Sequence, residues 1–198
     1  KASQAEMLPI PATTVWSSSA ALSGVRLPAS ALARTGPVKS GPSGSSRRAG
    51  IAVKALAMDI GGTKYSVAVF DGVKMVDRAS EATDREGGPE WMIARILHQV
   101  ARWRGAHVFD LCGIGFGGPV DFARQRVALS THVGGWSDYP LVDEIRDALG
   151  LPVVMDNDAN AGALGEHRNG AGIGFDPLFY MTLSTGIGGG IISQGCIY

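Results

Sequence analysis

The stretch that decides the fold of this chain is Leu56-Ala57-Met58-Asp59-Ile60-Gly61-Gly62-Thr63-Lys64. Its apolar half predicts a buried strand, and its two glycines predict a tight turn whose backbone can approach an anion closely. The Thr63 hydroxyl and the Lys64 ammonium are groups that bind phosphate, and the Asp59 carboxylate suits Mg²⁺ or its waters. A tight hairpin that binds nothing has the same pattern, so this stretch alone leaves both interpretations open.

A second strand with a glycine-rich end is Phe179-Tyr180-Met181-Thr182-Leu183-Ser184-Thr185-Gly186-Ile187-Gly188-Gly189-Gly190. Thr185 and the glycines after it are suited to surround a phosphate, although four glycines in five residues also describe a flexible loop. Neither stretch contains a P-loop or a dinucleotide-binding glycine motif. Two such turns facing each other would hold a polyphosphate from both sides, which predicts phosphoryl transfer.

Three polar residues follow an apolar run in Leu151-Pro152-Val153-Val154-Met155-Asp156-Asn157-Asp158-Ala159-Asn160-Ala161-Gly162-Ala163-Leu164-Gly165-Glu166. Each of the three is a good helix N-cap, but a helix start needs only one cap. A carboxylate at a helix N-terminus stays ionised and can accept a proton from a substrate hydroxyl. The pattern therefore predicts Asp158 as a catalytic base and Asn157 as a residue that orients substrate, with capping alone as the alternative.

The composition excludes several classes of function. The chain has 18 basic and 18 acidic side chains in 198 residues, so its charge predicts neither nucleic acid nor a membrane as a partner. No apolar stretch approaches the ~20 residues of a membrane-spanning helix. Cys112 and Cys196 have neither a metal-ligand spacing nor a disulfide framework, and we expect both to be buried. This cysteine usage predicts a reducing compartment, the cytoplasm.

Residues 1–54 differ in composition from the rest of the chain. They contain seven Lys or Arg against one acidic residue, Glu6, together with ten serines. Such a segment buries too little apolar surface to offset its chain entropy, so we expect a disordered leader. Its Ser- and Arg-rich composition is typical of an organelle transit peptide, which would change the expected compartment. An upstream extension of the reading frame is equally compatible with it.

The hydrophobic periodicity from residue 55 onward predicts an α/β fold. Three strands come first, and helices then alternate with strands, which predicts a mixed sheet with helices on both faces. The predicted strands are 56–60, 65–70, 73–79, 111–116, 153–155 and 178–184, and the predicted helices are 89–105, 141–149 and 159–167. Ligands collect at the carboxyl ends of strands in such sheets, where all three polar turns lie.

In this order, the motifs resemble the ROK (repressor, open reading frame, kinase) family of sugar kinases and, more distantly, the actin and hexokinase ATPase fold. The resemblance runs from about Ala55 to the last residue and covers the 55–198 domain. It rests on Asp59-Ile60-Gly61-Gly62-Thr63-Lys64, Gly117-Gly118-Pro119-Val120-Asp121, Gly135-Trp136 with Pro140-Leu141, Asn157-Asp158-Ala159-Asn160-Ala161 with Gly165-Glu166, and Ser184-Thr185-Gly186-Ile187-Gly188-Gly189-Gly190.

The resemblance implies ATP- and Mg²⁺-dependent phosphorylation of a glucose-like hexose or an N-acyl hexosamine. It implies that Asp158 is the catalytic base and that Asp59 lies near the metal through a water. The implied sugar contacts are Asn157, Gly118, His132 and Glu166, and the implied phosphate contacts are Gly61, Gly62, Thr63, Lys64, Thr185, Gly186, Gly188 and Gly189. A solvated helix end is an equal alternative for Glu166, and Trp136 is predicted to anchor the sugar loop by packing.

Two positions depart from the family pattern. Phe116-Gly117-Gly118-Pro119 stands where the family commonly has Pro-Gly-Pro, and His132-Val133 stands where it often has Asn-Leu. The second change falls on the sugar-contacting loop and leaves the identity of the sugar open. The sequence also stops before the family's downstream Glu and His sugar ligands, its cysteine-rich zinc motif and its second domain.

The resemblance therefore predicts an amino-terminal lobe that is truncated before the second lobe and inactive by itself. It implies structural zinc only in the carboxyl-terminal part and a homo-oligomer for the complete protein. A sugar-responsive repressor on the same scaffold is one alternative, but it needs a helix-turn-helix for which residues 1–54 show no paired helical periodicity. A non-catalytic sugar-binding domain is the other alternative.

Overall fold

The computed structural model describes residues 53–130, 133–183 and 186–198. The predicted leader lies outside the described residues up to position 52, and the first strand begins at Lys54, one residue before the predicted boundary. The elements in chain order are β1 (Lys54–Ile60), β2 (Lys64–Asp71), β3 (Lys74–Ala82), α1 (Gly88–Trp103), β4 (Leu111–Phe116), β5 (Val120–Asp121), β6 (Arg126–Val127), α2 (Leu141–Leu149), β7 (Val153–Asn157), α3 (Asp158–Asn169), β8 (Leu178–Leu183), β9 (Ile187–Ser193) and β10 (Cys196–Ile197).

The larger sheet has five strands in the order β3-β2-β1-β4-β7. β1, β2 and β3 form an antiparallel meander, because short turns connect them. β4 and β7 run parallel to β1, and a helix precedes each of them in the chain. The predicted mixed sheet is therefore confirmed, and its central strand β1 is the one that leads into the first glycine turn.

One face of this sheet carries the main core. Leu56, Met58 and Ile60 alternate along β1 and pack in the same buried cluster as α1 and α2. Both helices contribute an apolar stripe to it, because their buried residues recur at helical spacing. α2 ends at Gly150, whose φ of 69° is the left-handed conformation that glycine adopts readily at a helix end.

A second, three-stranded antiparallel sheet has the order β10-β9-β8. The prediction that the strand at 178–184 belongs to the same sheet as the others is wrong, because β8 pairs only with β9 in the described residues. α3 contacts this second sheet and also contacts β4 and β7 of the larger one. The outer face of the second sheet is apolar and exposed at Phe179, Met181, Leu183, Ile187 and Ile191.

The glycine-rich end of the second motif is largely a strand. β9 begins at Ile187, so Gly188, Gly189 and Gly190 lie inside it and pair with β8. The predicted glycine turn is therefore shorter than the sequence indicated. A Cβ on Gly190 would lie 2.7 Å from Ala163 Cβ and 2.8 Å from Ala159 O, so this glycine allows α3 to pack closely on the sheet.

We expect Gly190→Ala to lower the free energy of unfolding by about 1–3 kcal/mol, because the added methyl group meets the α3 backbone. The matched control is Gly186→Ala in the same hairpin, where nothing lies within 4 Å of a new Cβ. We expect the control to change stability by less than about 0.5 kcal/mol. Urea unfolding of both variants measures the difference, and equal stabilities would contradict the packing role of Gly190.

The two cysteines differ in their exposure. Cys112 is buried in β4, as predicted, and burial raises the pKa of its thiol. Cys196 is exposed, against the prediction, because it lies in β10 at the edge of the second sheet.

Among the helices of the described residues, none has the length and apolar character needed to cross a membrane.

Candidate active site

The carboxyl ends of three neighbouring strands form the centre of the site. Ile60 of β1, Phe116 of β4 and Asn157 of β7 lie side by side in the sheet register. The next residue after each strand end is therefore Gly61, Gly117 or Asp158. Two of the polar turns that the sequence analysis expected at strand ends do meet here.

Gly117 is the point of closest approach between these strand ends. Its amide donates to Ile60 O at 2.8 Å. A Cβ on Gly117 would lie 3.2 Å from Ile60 O, 3.4 Å from Gly61 Cα and 3.6 Å from Asp158 Oδ2. The Asp158 carboxylate thus lies next to the first glycine turn, with only a glycine between them.

The first glycine turn connects β1 to β2. The Gly61 amide donates to Lys64 O at 3.1 Å, and a Cβ on Gly61 would lie 2.9 Å from that same oxygen. Glycine is therefore required at position 61 for the turn to close. Thr63 and Lys64 are exposed at its tip, where their side chains can reach a ligand.

Asp158 is the first residue of α3. Its Oδ1 accepts from the Ala159 amide at 2.8 Å, and its Oδ2 faces Gly117. Burial raises the pKa of Asp158, against the backbone hydrogen bonds that lower it. A partly desolvated carboxylate with one oxygen directed at the strand ends is the arrangement expected of a general base.

Asp59 is the second carboxylate of the site. It lies in β1 opposite Ser66, which is fully buried in β2. The pKa of Asp59 is raised to about 6, first by burial and then by the Asp158 charge, while the Lys64 and Arg78 charges oppose the shift. Two carboxylates are thus held close together in a partly desolvated place.

This pair fits a magnesium ion better than it fits a metal bound by protein ligands alone. The described residues contain no cluster of three or more His, Cys, Asp or Glu side chains that could hold a metal. Mg²⁺ in proteins commonly uses one or two carboxylates together with waters and substrate phosphates. A divalent cation beside Asp59 would also relieve the repulsion between Asp59 and Asp158.

Asn157 joins the start of α3 to the turn after β4. Its Oδ1 accepts from the amides of Ala159 (3.0 Å) and Asn160 (3.4 Å), which makes it the N-cap of the helix. Its Nδ2 donates to Phe116 O at 3.4 Å and to Gly118 O at 3.1 Å. The amide is fully used within the protein, and its contact with sugar stays a prediction.

The neighbouring polar residues have separate structural roles. Asp156 Oδ1 accepts from the Asn157 amide at 2.7 Å and from Asn160 Nδ2 at 3.0 Å. Gln125 pairs with the backbone of the edge strand β7, accepting from the Met155 amide at 2.7 Å and donating to Met155 O at 3.2 Å. No local sequence pattern predicts the role of Gln125, because its partner lies 30 residues away. The N-cap of α3 is thus Asn157, and the catalytic role of Asp158 stays a prediction.

The second glycine-rich motif approaches the site from the side of α3. A Cβ on Gly188 would lie 3.1 Å from Ala159 Cβ, so the start of β9 lies beside the start of the helix. Gly186 is exposed in the turn before β9, and Thr185 lies outside the described residues. Phosphate binding by Gly186, Gly188 and Gly189 stays a prediction, since the last two are strand residues.

Tyr180 lies next to the site, although the sequence motifs did not predict it as a site residue. Its ring packs on α3, where a Cβ on Gly162 would lie 2.8 Å from the ring and 3.2 Å from the hydroxyl. Burial raises the pKa of Tyr180, and the charges of Glu166, Asp158 and Asp59 raise it further. The alternation of β8 is the signal that places Tyr180 on the face toward α3.

The remaining predicted sugar contacts differ in their placement. Glu166 lies two turns along α3 from Asp158, about 12 Å in helix rise, and its Oε2 accepts from the Ala171 amide at 2.8 Å. Gly118 lies in the turn after β4, where a Cβ would be 2.9 Å from Leu129 O. His132 lies outside the described residues. All three stay predictions as sugar ligands.

Trp136 is a packing anchor, as predicted. It is almost completely buried, and its ring contacts Phe116 and Tyr139 at centroid distances of 5.2 and 5.1 Å. It also lines a small cleft with Ile60, Gly61 and Gly117. The tryptophan therefore holds the loop before α2 against the strand ends.

Comparisons with known proteins agree with this arrangement. A glucokinase from Thermotoga maritima is 36% identical over 144 residues, which cover 72% of this chain and 45% of that protein. An N-acetylmannosamine kinase from Yersinia pestis is 37% identical over 140 residues, which cover 70% and 47%. The solved ROK family glucokinase from Streptomyces griseus in complex with glucose and AMPPNP has a TM-score of 0.68 and 38% identity, covering 73% of this chain and 46% of that one.

The chain thus spans about half the length of these relatives. Their similarity supports the predicted fold class, a mixed sheet with helices as in the actin and hexokinase ATPases. The match to the ROK family extends over residues 55–198, well over half of the chain. The chain belongs to the ROK family.

Proposed function

We propose that this chain is the amino-terminal part of an ATP-dependent kinase that phosphorylates a glucose-like hexose or an N-acyl hexosamine. The observation that carries the proposal is the position of Asp158 at a helix start, beside Gly117 and the first glycine turn. In the proposal, Asp158 is the proton acceptor and the glycine turn beside it binds phosphate. Identities of 36–37% to a glucokinase and an N-acetylmannosamine kinase support it.

Asp158 acts as the general base in this proposal. A sugar hydroxyl donates its proton to Asp158 while its oxygen bonds to the γ-phosphorus, and the bond from that phosphorus to the ADP oxygen breaks. General-base assistance is typically worth about 10²–10⁴-fold in rate. Holding the hydroxyl in line with the phosphoryl group supplies much of the remaining catalysis.

The glycine turn and its neighbours bind the phosphates. In the turn of Gly61, Gly62, Thr63 and Lys64, the amides of residues 62–64, the Thr63 hydroxyl and the Lys64 ammonium are proposed for one side. Thr185, Gly186, Gly188 and Gly189 are proposed for the other side. Asp59 would hold Mg²⁺ through a water, and Mg²⁺ neutralises charge on the transferred group when bound. On the sugar side, the proposed contacts are Asn157, Gly118, His132 and Glu166.

The test compares the 198-residue chain with a longer form that spans the full length of its relatives. We expect the 198-residue chain to bind MgATP weakly at best and to have no measurable turnover, because actin-type kinases close two lobes on the nucleotide. We expect the longer form to phosphorylate glucose, mannose or N-acetylmannosamine in a coupled assay.

Titration calorimetry with MgATP gives the affinity independently of turnover. Absence of turnover with all three sugars in the folded longer form would contradict the proposed activity. Micromolar affinity for MgATP together with turnover in the 198-residue chain would instead contradict the proposal that this chain is only the amino-terminal part of the kinase.

We also propose that the protein acts in the cytoplasm and that its complete form is a homo-oligomer. Free thiols at Cys112 and Cys196 support a reducing compartment. An organelle is the alternative if residues 1–54 act as a transit peptide. The balanced charge of the chain supports a small-molecule partner over nucleic acid.

A further inference from the structure

We propose that Thr83, Asp84 and Arg85, here called the backing segment, orient the peptide groups of the first glycine turn toward a bound polyphosphate. The segment directly follows β3 in the chain. The Thr83 hydroxyl donates to Gly61 O at 2.8 Å, the Arg85 Nε donates to Gly62 O at 3.1 Å, and the Thr83 amide donates to Thr63 O at 2.9 Å. Three consecutive carbonyls of the turn are thus held by the same three-residue segment.

The geometry of the peptide bond gives these contacts a consequence on the opposite side. In a trans peptide the C=O and the following N–H point in opposite directions. The carbonyls of residues 61, 62 and 63 point at the backing segment, so the amides of Gly62, Thr63 and Lys64 point away from it. Within the described part of the chain, the amides of Gly62 and Thr63 donate to no acceptor.

Successive N–H groups that point into one concavity form an anion-binding nest. Hydrogen bonds donated to the carbonyls also polarise the peptide groups, which makes each N–H a stronger donor. Because the turn is held in this orientation before the ligand arrives, binding requires less reorganisation. The Arg85 guanidinium adds a positive charge close to the turn at a solvent-exposed position, where salt will screen it.

Thr83 and Arg85 are therefore positioning residues in this proposal, and the proposal rests on the phosphate-binding role of the turn. A purely structural role for the backing segment makes a different prediction. It would lower the stability of the hairpin without changing the donor strength of the Gly62 amide or the affinity for an anion. The two roles are separable by measuring both quantities in the same variants.

The variants change the contacts one at a time. Thr83→Val removes the hydroxyl that donates to Gly61 O and keeps the shape of the side chain, and Thr83→Ser restores the hydroxyl. Arg85→Gln removes the charge. The matched control is Tyr65→Phe, which removes another hydroxyl bond between β2 and β3, the one from Tyr65 to Glu81 at 2.7 Å.

The measurement is a titration of the ¹⁵N-labelled 198-residue chain with inorganic tripolyphosphate, followed through the amide signals of residues 62–64. We expect Thr83→Val to weaken binding about 3- to 10-fold, as for the loss of one neutral hydrogen bond, and to shift the Gly62 amide proton upfield before any ligand is added. Thr83→Ser and Tyr65→Phe should retain the wild-type affinity and shift, and Arg85→Gln should weaken binding more at low salt than at high salt.

Three outcomes would overturn the proposal. Thr83→Val with wild-type affinity and an unchanged Gly62 amide shift would show that the backing segment does not orient the turn. An equal loss of affinity in Tyr65→Phe would show that the effect is general loosening of the hairpin. No response of residues 62–64 in the wild-type chain up to millimolar tripolyphosphate would remove the phosphate-binding role of the turn itself, and with it the purpose of the segment.

Discussion

Asp158→Asn is expected to lower the turnover of sugar phosphorylation about 10²- to 10⁴-fold in a form of the protein that spans the length of its relatives. Asparagine has the shape of aspartate and keeps an oxygen that can accept from the Ala159 amide, so the start of α3 should be preserved. It cannot accept the proton of the attacking hydroxyl. The loss should therefore appear in kcat, with little change in the affinity for ATP.

The matched control for this variant is Asp156→Asn, two residues earlier. Asp156 accepts from the Asn157 amide and from Asn160 Nδ2, and the amide oxygen of asparagine can accept the same bonds. We expect less than a tenfold change in turnover for the control. Steady-state kinetics on both variants measures the difference, and a loss below tenfold for Asp158→Asn would contradict its role as the base.

Asp59→Asn is expected to stabilise the 198-residue chain at pH 7, by about 3 kcal/mol at most. The pKa of Asp59 is raised from 3.8 to about 6 by burial and then by the Asp158 charge, so the folded state binds a proton more tightly than the unfolded state. The stability of the wild-type chain relative to the asparagine variant should therefore be highest below about pH 4, fall as the pH rises toward 6, and stay constant above it. The asparagine variant does not carry the free-energy cost of a buried ionised carboxylate at neutral pH.

Urea unfolding between pH 4 and pH 8 measures this difference directly. The matched control is Asp71→Asn at the exposed end of β2, for which we expect a change within about 0.5 kcal/mol. Added Mg²⁺ should stabilise the wild-type chain more than Asp59→Asn, because the ion needs the carboxylate. Parallel stability curves for the wild-type chain and the Asp59 variant would show that this carboxylate carries no cost at neutral pH.

The parts of the fold that sequence predicts well are those with a strong local pattern. β1, β4 and α2 have continuous or periodic apolar residues and clear turn signals, and the structure places them within two residues of the prediction. The positions of Asp158 and Gly61 at the same edge of the sheet, on either side of β4, also follow from local pattern, because parallel strands align their carboxyl ends.

The parts that sequence does not predict depend on contacts between distant residues. β5, β6 and β10 have two residues each, and β9 contains three consecutive glycines, which are rare in strands. Thr83 reaches Gly61 across 22 residues and Gln125 reaches Met155 across 30, so no local pattern marks either residue. The second sheet was missed for the same reason, because strand pairing is decided by the whole fold.

The close packing of Gly190 against α3 has a consequence for how the gene can vary. Every codon change that replaces glycine introduces at least a Cβ, and here that atom would meet Ala163 Cβ and the carbonyl of Ala159, the residue after Asp158. A mutation at codon 190 therefore disturbs the helix that carries the proposed base, although the two positions are far apart in the gene. Substitutions at position 190 should therefore lower activity by disturbing α3, and a saturation mutagenesis map should show this position to be intolerant of side chains.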